Sequence, residues 1–195
     1  KFNDSEVEFF KGDIRNKKDL LNAAVDCDSI FHLAFINGTQ FFYEKPQLVL
    51  DVGVKGAINS LEVAKELEIE NYILASSSEV YQEPDILPTP ESVKILIPDI
   101  LNPRYSYAGG KIISEILTIN YLRDTSIKHM IFRPHNVFGP KMGFEHVIPQ
   151  IIEKVFKASE GFRTDSCNIA IQGSGNETRA FCFVEDAIEQ LMFIF

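Results

Sequence analysis

SIFHLA at residues 29–34 and NYILA at residues 71–75 are two short apolar runs that decide the fold. Both runs have the length and composition of strands, and the first is continuous enough to be buried on both faces. Between them, residues 46–67 carry apolar side chains at the spacing of a long amphipathic helix. Two buried strands joined by such a helix predict a crossover unit, in which the strands lie parallel in one sheet.

The alternation continues on both sides of this unit. Further helices are predicted at residues 17–25, 105–122 and 145–158 and from residue 185 onward, and further strands at residues 7–10, 128–133, 168–171 and 180–184. Strands that alternate with long helices indicate an α/β fold, with a doubly wound parallel sheet covered by helices on both faces. In such a sheet, ligands bind beyond the carboxyl ends of the strands.

Composition excludes several classes of function. The chain has 195 residues, 45% of them hydrophobic, which is enough for one sizeable core. Its net charge of −9 argues against a nucleic-acid partner, because phosphate binding needs clustered Lys and Arg. No apolar run is long enough to span a membrane and no secretory signal opens the chain, so a cytoplasmic protein without a membrane partner is expected. Three cysteines, predicted to be free and buried, and four histidines show no spacing that predicts a metal site.

Two features concern organisation. Residues 82–104 form a long connection that holds five of the nine prolines. Such a loop predicts a functional segment, often a substrate lid, although a tolerated insertion is the alternative. The chain begins directly on a predicted strand and ends on the apolar run Leu191–Phe195, so we expect it to be a fragment of a longer protein.

The clearest chemical signal is Tyr107-Ala108-Gly109-Gly110-Lys111. Residues four apart lie on one face of a helix, so the phenol and the ammonium can reach one ligand. A nearby ammonium is expected to lower the pKa of the phenol and make it a proton shuttle for alcohol oxidation. The two adjacent glycines are unfavourable in a helix, so they predict close approach of a cofactor or a neighbouring strand.

A second signal follows the NYILA strand, where Ser76, Ser77, Ser78 and Glu79 come in succession. Hydroxyls at the end of a parallel strand can hydrogen-bond a substrate oxygen, and Glu79 adds a carboxylate beside them. The alternative is a cluster of turn and cap residues, since serine favours such positions.

Together these motifs resemble the extended short-chain dehydrogenase/reductases of the NAD-dependent epimerase/dehydratase type, which act on nucleotide sugars. The resemblance extends over nearly the whole chain, in order and spacing. It rests on His32-Leu33-Ala34, Ser77-Ser78-Glu79-Val80-Tyr81, Tyr107-x-x-x-Lys111, Arg133-Pro134-x-Asn136-Val137-Phe138-Gly139-Pro140 and Thr178-Arg179-Ala180-Phe181-x-x-Val184-x-Asp186.

The resemblance implies roles for individual residues. Tyr107 would be the catalytic acid/base and Lys111 its partner, and Ser77, Ser78 and Glu79 would complete the catalytic set. NAD is the implied cofactor and a nucleotide-diphosphate sugar the implied substrate, with Asn136 and Arg179 on the diphosphate. The residues expected to contact NAD are Asp13, Ile14, Leu33, Ala34, Ser76, Tyr107, Lys111 and Arg133.

The same resemblance implies a domain arrangement. Residues 1–133 would form a Rossmann-like NAD-binding core, and residues 134–195 part of a small C-terminal substrate-binding region. The family's first strand and Gly-rich phosphate loop are absent from the sequence and are expected before Lys1. A homodimer is expected through the helices at residues 46–67 and 105–122.

Two further departures leave the reaction open. Where the family usually has Asn-Val-x-Gly-Thr, this chain has Gly53-Val54-Lys55-Gly56-Ala57, so a supporting amide is missing; the usual Tyr before Gly139-Pro140 is Phe138. Oxidation of the sugar C4 hydroxyl is common to 4-epimerases, dehydratases and decarboxylases, and all three remain possible outcomes here. A dinucleotide-binding regulator without catalysis is the alternative function, although Ser77, Tyr107 and Lys111 are all present.

Overall fold

Three parallel strands form the central sheet of the computed structural model, which describes residues 7–171 and 173–195. They are β1 (Ser29–His32), β2 (Asn71–Ala75) and β3 (Lys128–Phe132), in the order β1-β2-β3. Ser29 pairs with Asn71 and Asn71 with Lys128, so all three strands start in register. Their carboxyl ends therefore reach one edge together, where the sequence predicts the site.

Helices connect these strands, as the alternating pattern predicts. The chain has α1 (Lys17–Ala24) before β1, then α2 (Thr39–Glu44), α3 (Pro46–Leu50) and α4 (Gly56–Glu66) before β2, and α5 (Ser106–Leu122) before β3. Asn16 begins α1 as its cap, because its side-chain oxygen accepts from the backbone N–H of Lys18. The α/β class with a parallel sheet is thus confirmed.

The core lies where α4 and α5 cover β2. Leu61, Tyr72, Leu74 and Leu122 are among its largest members, and each is at most 1% exposed. Burial of such side chains contributes about 1.5–3 kcal/mol each to folding. The Tyr72 hydroxyl is satisfied inside this core by the Ser60 hydroxyl at 2.5 Å. This packing fixes the end of β2 against α5.

A π turn interrupts the long helix predicted at residues 46–67. Residues Asp51–Lys55 wind more widely between α3 and α4, and Gly53 is buried within them. Single π turns of this kind occur mostly inside α-helices and frequently near functional sites. The sequence prediction of one uninterrupted helix is therefore wrong at this turn.

The second unit of the chain starts at Pro134. It contains a short parallel pair, β4 (Val137–Phe138) with β5 (Cys182–Phe183), and the helices α6 (Val147–Ala158) and α7 (Val184–Ile194). Both helices correspond to predicted ones, with α6 starting two residues later than expected. Strand β4 was not predicted, because two residues give no periodicity.

Two predicted strands are wrong. Residues 7–10 and residues 168–171 form no strand, since neither run has a partner strand among the described residues. Strand β1 also ends at His32, two residues early, and it is half-buried rather than covered on both faces because it lies at the edge of the described sheet.

The cysteines are free as predicted, but none is buried: Cys27 is exposed, and Cys167 and Cys182 are half-buried. No helix in the described ranges is long and apolar enough to cross a membrane. No cluster of potential metal ligands occurs among the same residues.

Candidate active site

Ser77 and Tyr107 meet at the carboxyl end of β2. Ser77 follows the strand by two residues, and Tyr107 lies in the first turn of α5, which packs beside the strand end. The Ser77 hydroxyl lies close enough to the Tyr107 phenol to lower the pKa of that phenol. The structure thus brings together the two hydroxyl groups that the sequence analysis paired from separate motifs.

Tyr107 is enclosed by aromatic rings. Phe42 stacks on its ring with centroids 5.1 Å apart, and Phe35 meets it edge-on at the same distance. This burial raises the pKa of Tyr107, while the nearby Ser77 hydroxyl lowers it and the nearby Glu79 charge raises it. The expectation that Lys111 lowers this pKa is therefore wrong, since burial in an aromatic setting disfavours the phenolate.

Lys111 is only 3% exposed, one helical turn beyond Tyr107. Its Nζ donates to the carbonyl oxygen of Ala75 at 2.6 Å and lies 5.6 Å from the centroid of the Tyr107 ring. Burial lowers the pKa of Lys111 to about 8, and the Glu115 carboxylate opposes that shift. An ammonium held this way keeps its charge at neutral pH.

The loop after β2 carries the remaining predicted catalytic residues. Ser77 is 8% exposed, and its Oγ accepts from the backbone N–H of Glu79 at 3.2 Å, which caps a 3₁₀ turn at Ser78–Val80. Ser77 is therefore both a cap, as the alternative interpretation had it, and the partner of Tyr107. Ser78 and Glu79 are half-buried in the turn.

A buried ion pair supports this region from the other side. Glu115, one turn after Lys111 on α5, accepts two hydrogen bonds from Arg133, which directly follows β3. Its carboxylate also accepts from the Ser76 hydroxyl, and Arg133 donates to the Tyr81 phenol at 2.7 Å. Glu115 and Tyr81 had no predicted role, although the four-residue spacing from Lys111 could have indicated Glu115.

Comparison with known proteins agrees with this geometry. The model of the NAD-dependent epimerase/dehydratase family matches residues 1–195. The chain belongs to this family. It is 31% identical over 170 residues to UDP-glucuronic acid decarboxylase 5 of Arabidopsis thaliana, a match that covers 86% of this chain and 47% of that protein. The chain spans less than half the length of the curated relatives it matches.

Solved structures of the epimerase/dehydratase family have the same fold. An epimerase from Methanothermobacter thermautotrophicus, 28% identical, superposes with a TM-score of 0.79 over 95% of this chain and 53% of that one. A dTDP-glucose 4,6-dehydratase variant from Streptomyces venezuelae with NAD bound is 20% identical and has a TM-score of 0.80, over 94% and 52% of the two chains. These likenesses place the parallel sheet and its helices in a Rossmann-type fold.

The residues predicted to contact NAD lie in different surroundings. Leu33 and Ala34 are exposed just beyond β1, as a ligand surface requires. Asp13 is exposed and accepts a forked pair of hydrogen bonds from Arg15, which lowers the pKa of Asp13 to about 2. The Ile14 carbonyl accepts from the Asn59 amide at 3.0 Å. Leu33 and Ala34 thus leave space for a ligand beyond β1, whereas the Asp13 carboxylate is already paired with Arg15.

Other predicted contacts are turned inward. Ser76 is 2% exposed and its hydroxyl binds Glu115, while Arg133 is held by Glu115 and Tyr81. Both residues stabilise the end of the sheet. His32 had no predicted role. It is 4% exposed, and its Nε2 is unpartnered among the described residues. Burial lowers the pKa of His32 to about 4.

The predicted substrate residues lie in the second unit. The Asn136 amide donates to the carbonyl of Ala180 at 2.8 Å, which ties the β4 and β5 segments together. Arg179 is exposed, and its Nη1 donates to the carbonyl of Thr178. Arg179 thus presents a guanidinium with donors to spare, which is the group that suits a phosphate.

Proposed function

We propose that this chain is the catalytic part of a nucleotide-sugar enzyme that oxidises the C4 hydroxyl of the sugar and then changes C5 or C6 or returns the hydrogen to C4. The closeness of the Ser77 and Tyr107 hydroxyl groups, beside the buried ammonium of Lys111, is the observation that supports it best. Two hydroxyl groups and a cation at the edge of a parallel sheet can bind an alcohol and remove its proton.

Each group has a part that its surroundings favour. Ser77 orients the C4 hydroxyl, and Tyr107 accepts its proton. Burial makes the phenolate of Tyr107 costly, so the charge of Lys111 is needed nearby as the proton moves. NAD, when bound, supplies acceptance and return of the hydride. Lys111, Leu33, Ala34 and the Asp13–Ile14 turn would hold it on the first unit.

The proposed substrate is a nucleotide-diphosphate sugar, with Asn136 and Arg179 on its diphosphate. Glu79 is the proposed base or electrostatic guide at C5 or C6, because it is a carboxylate close enough to Tyr107 to affect its pKa. The curated relatives include several UDP-glucuronic acid decarboxylases. Loss of carbon dioxide from a UDP-uronate is therefore the branch to test first, and a lyase or isomerase of this kind would act as a homodimer in the cytoplasm.

A panel of nucleotide sugars tests the proposal. The full-length protein is incubated with NAD and, in turn, a UDP-uronate, a UDP-hexose, a dTDP-hexose and a GDP-hexose, and products are identified by mass. Loss of carbon dioxide, loss of water, or an unchanged mass with a new stereoisomer would identify decarboxylation, dehydration or epimerisation. Binding of NAD without turnover of any sugar would contradict the proposal and favour a dinucleotide-binding regulator.

A further inference from the structure

We propose that Phe35 is a positioning residue for Lys111, and that Gly53 and Gly110 lack side chains so that the Phe35 ring can lie against the Lys111 ammonium. The inference rests on the proposed function for its effect on turnover. Its structural part concerns only the placement and charge of Lys111, so the two can fail separately.

The ring of Phe35 lies under the lysine head group. Nζ of Lys111 is 4.2 Å from the centroid of the Phe35 ring, well within the range of a cation–π contact. The same ring meets Tyr107 edge-on at 5.1 Å. Phe35 thus touches both members of the Tyr-Lys pair, although it lies three residues beyond β1 and far from them in sequence.

Lys111 has few other partners to hold it. An ammonium has three donors, and the Ala75 carbonyl accepts one of them. The negative face of an aromatic ring attracts a cation without taking a proton from it, and this attraction is strongest where water is excluded. At a site that is 3% exposed, the Phe35 ring therefore supports the charged form of Lys111 and fixes its direction.

Two glycines make room for the ring. A methyl group at Gly53 would overlap the Phe35 ring, and a methyl group at Gly110 would lie 2.8 Å from its Cζ atom. Gly109 differs, since a methyl group there would meet only Ile97 at an ordinary 3.8 Å. Of the two adjacent helix glycines, Gly110 is thus the one that must lack a side chain for the Phe35 ring to fit. At Gly53, the ring lies where a side chain of the π turn would otherwise be.

Other charged groups near Lys111 are accounted for. On its own helix, Tyr107 lies one turn before it and Glu115 one turn after it. Asp51 of the π turn is paired with Lys55 at 2.6 Å, and Arg133 is paired with Glu115. His32 from β1 is affected by the charge of Lys111, and Glu79 from the β2 loop acts on Tyr107. None of these contacts changes when only the electrons of the Phe35 ring are altered.

The test alters the ring without altering its shape. Phe35 is replaced by 3,5-difluorophenylalanine in the full-length protein, which weakens the negative face and leaves the para position unchanged. Titration of the Lys111 Cε resonance, assigned with Lys111→Met, reports its ionisation without substrate. We expect the ionisation constant to rise several-fold with the fluorinated ring and about tenfold in Phe35→Leu, because the cation loses support.

Turnover and the glycine variants complete the experiment. The alkaline limb of kcat/KM should move to lower pH in step with the Lys111 titration. Gly110→Ala, which displaces the ring, should reproduce the shift, whereas Gly109→Ala should titrate like the wild type. An unchanged Lys111 titration in both Phe35 variants would overturn the proposal. A shifted titration in a protein that turns over no sugar would instead leave it standing and remove the proposed function.

Discussion

Glu115 and Arg133 form a bidentate ion pair. The Nε of Arg133 lies at 2.8 Å from one carboxylate oxygen of Glu115, and its Nη2 lies at 2.6 Å from the other. The Glu115 side chain is only 4% exposed, so the pair is buried on the acid side and partly open on the arginine side. It joins α5 to the end of β3 directly behind Lys111. Parallel double hydrogen bonds of this kind fix direction as well as distance.

Glu115→Gln should therefore destabilise the protein. Removal of one partner leaves the other charge buried without compensation, which costs about 3–5 kcal/mol, and we expect the lower end because Arg133 reaches some solvent. Urea unfolding measures the change. The exposed pair Lys157–Glu153 is the control, since Glu153→Gln should change stability by less than about 1 kcal/mol. Equal effects of the two variants would contradict a structural role for the buried pair.

Tyr107→Phe should abolish turnover and keep the fold. The substitution removes only the hydroxyl that meets Ser77 and retains the ring packed between Phe35 and Phe42. Because general acid/base groups contribute about 10²–10⁴-fold, kcat should fall by that order. Tyr121→Phe, at the far end of the same helix, is the matched control and should keep full activity. Activity within a few-fold of the wild type in Tyr107→Phe would remove the phenol from the mechanism.

Glu79→Gln should separate the first chemical step from the later one. The change keeps the shape of the side chain and removes its charge, so proton removal by Tyr107 should continue while chemistry at C5 or C6 stops. In a single turnover, reduced cofactor should accumulate, as followed by its absorbance, and no final product should form. Glu83→Gln, exposed in the following loop, should behave as the wild type. If no reduced cofactor appears in Glu79→Gln, the carboxylate is needed earlier than we propose.

Lys111 should make stability rise with pH. Its folded pKa of about 8 lies below the ordinary 10.5, because burial disfavours the charged form. Below pH 8 Lys111 is protonated in both the folded and the unfolded protein, so the folded protein bears the full cost of burying the charge. Between pH 8 and 10.5 the unfolded protein binds more protons, so stability rises with pH. Above pH 10.5 the lysine is neutral in both states and the cost is gone. Relative to Lys111→Met, the wild type should thus gain up to about 3 kcal/mol across this window.

Denaturant unfolding of both proteins at a series of pH values checks this slope. Lys111→Met also loses the hydrogen bond to Ala75. That loss is the same at every pH, so it does not affect the slope of stability against pH. Lys154→Met is the control, because that ammonium also donates to a backbone carbonyl, at 2.8 Å from Ala170, but is exposed. A flat difference between the wild type and Lys111→Met would contradict the burial cost.

Much of this arrangement follows from the sequence, because period and spacing are local properties. Apolar runs located all three strands of the sheet, and the four-residue spacing placed Tyr107 and Lys111 on one face of α5. Phe35 and Phe42 could not be found this way, since an aromatic residue after a strand or in a short helix has no pattern of its own. Their packing on Tyr107 depends on tertiary contacts, and so does the dominance of burial in its pKa.

The two incorrect strand predictions have a related cause. Residues 7–10 and 168–171 have strand composition, yet a strand needs backbone partners that composition does not encode. The inward direction of Ser76 was likewise beyond prediction, because alternation along a strand depends on where the strand ends. Motif order identified the family, whereas side-chain direction at the strand ends required coordinates.

The π turn at Asp51–Lys55 has a consequence for how this segment tolerates changes in length. A turn of this type amounts to one extra residue taken up within an α-helix. Deleting a residue from a regular α-helix rotates the following side chains by about 100°. Deleting one from this wide turn removes the extra residue instead, so α3 and α4 would keep the directions of their side chains. An insertion-deletion scan should therefore find this short segment more tolerant of losing one residue than the regular turns of α4, as long as the deleted residue is not Gly53, which leaves space for Phe35.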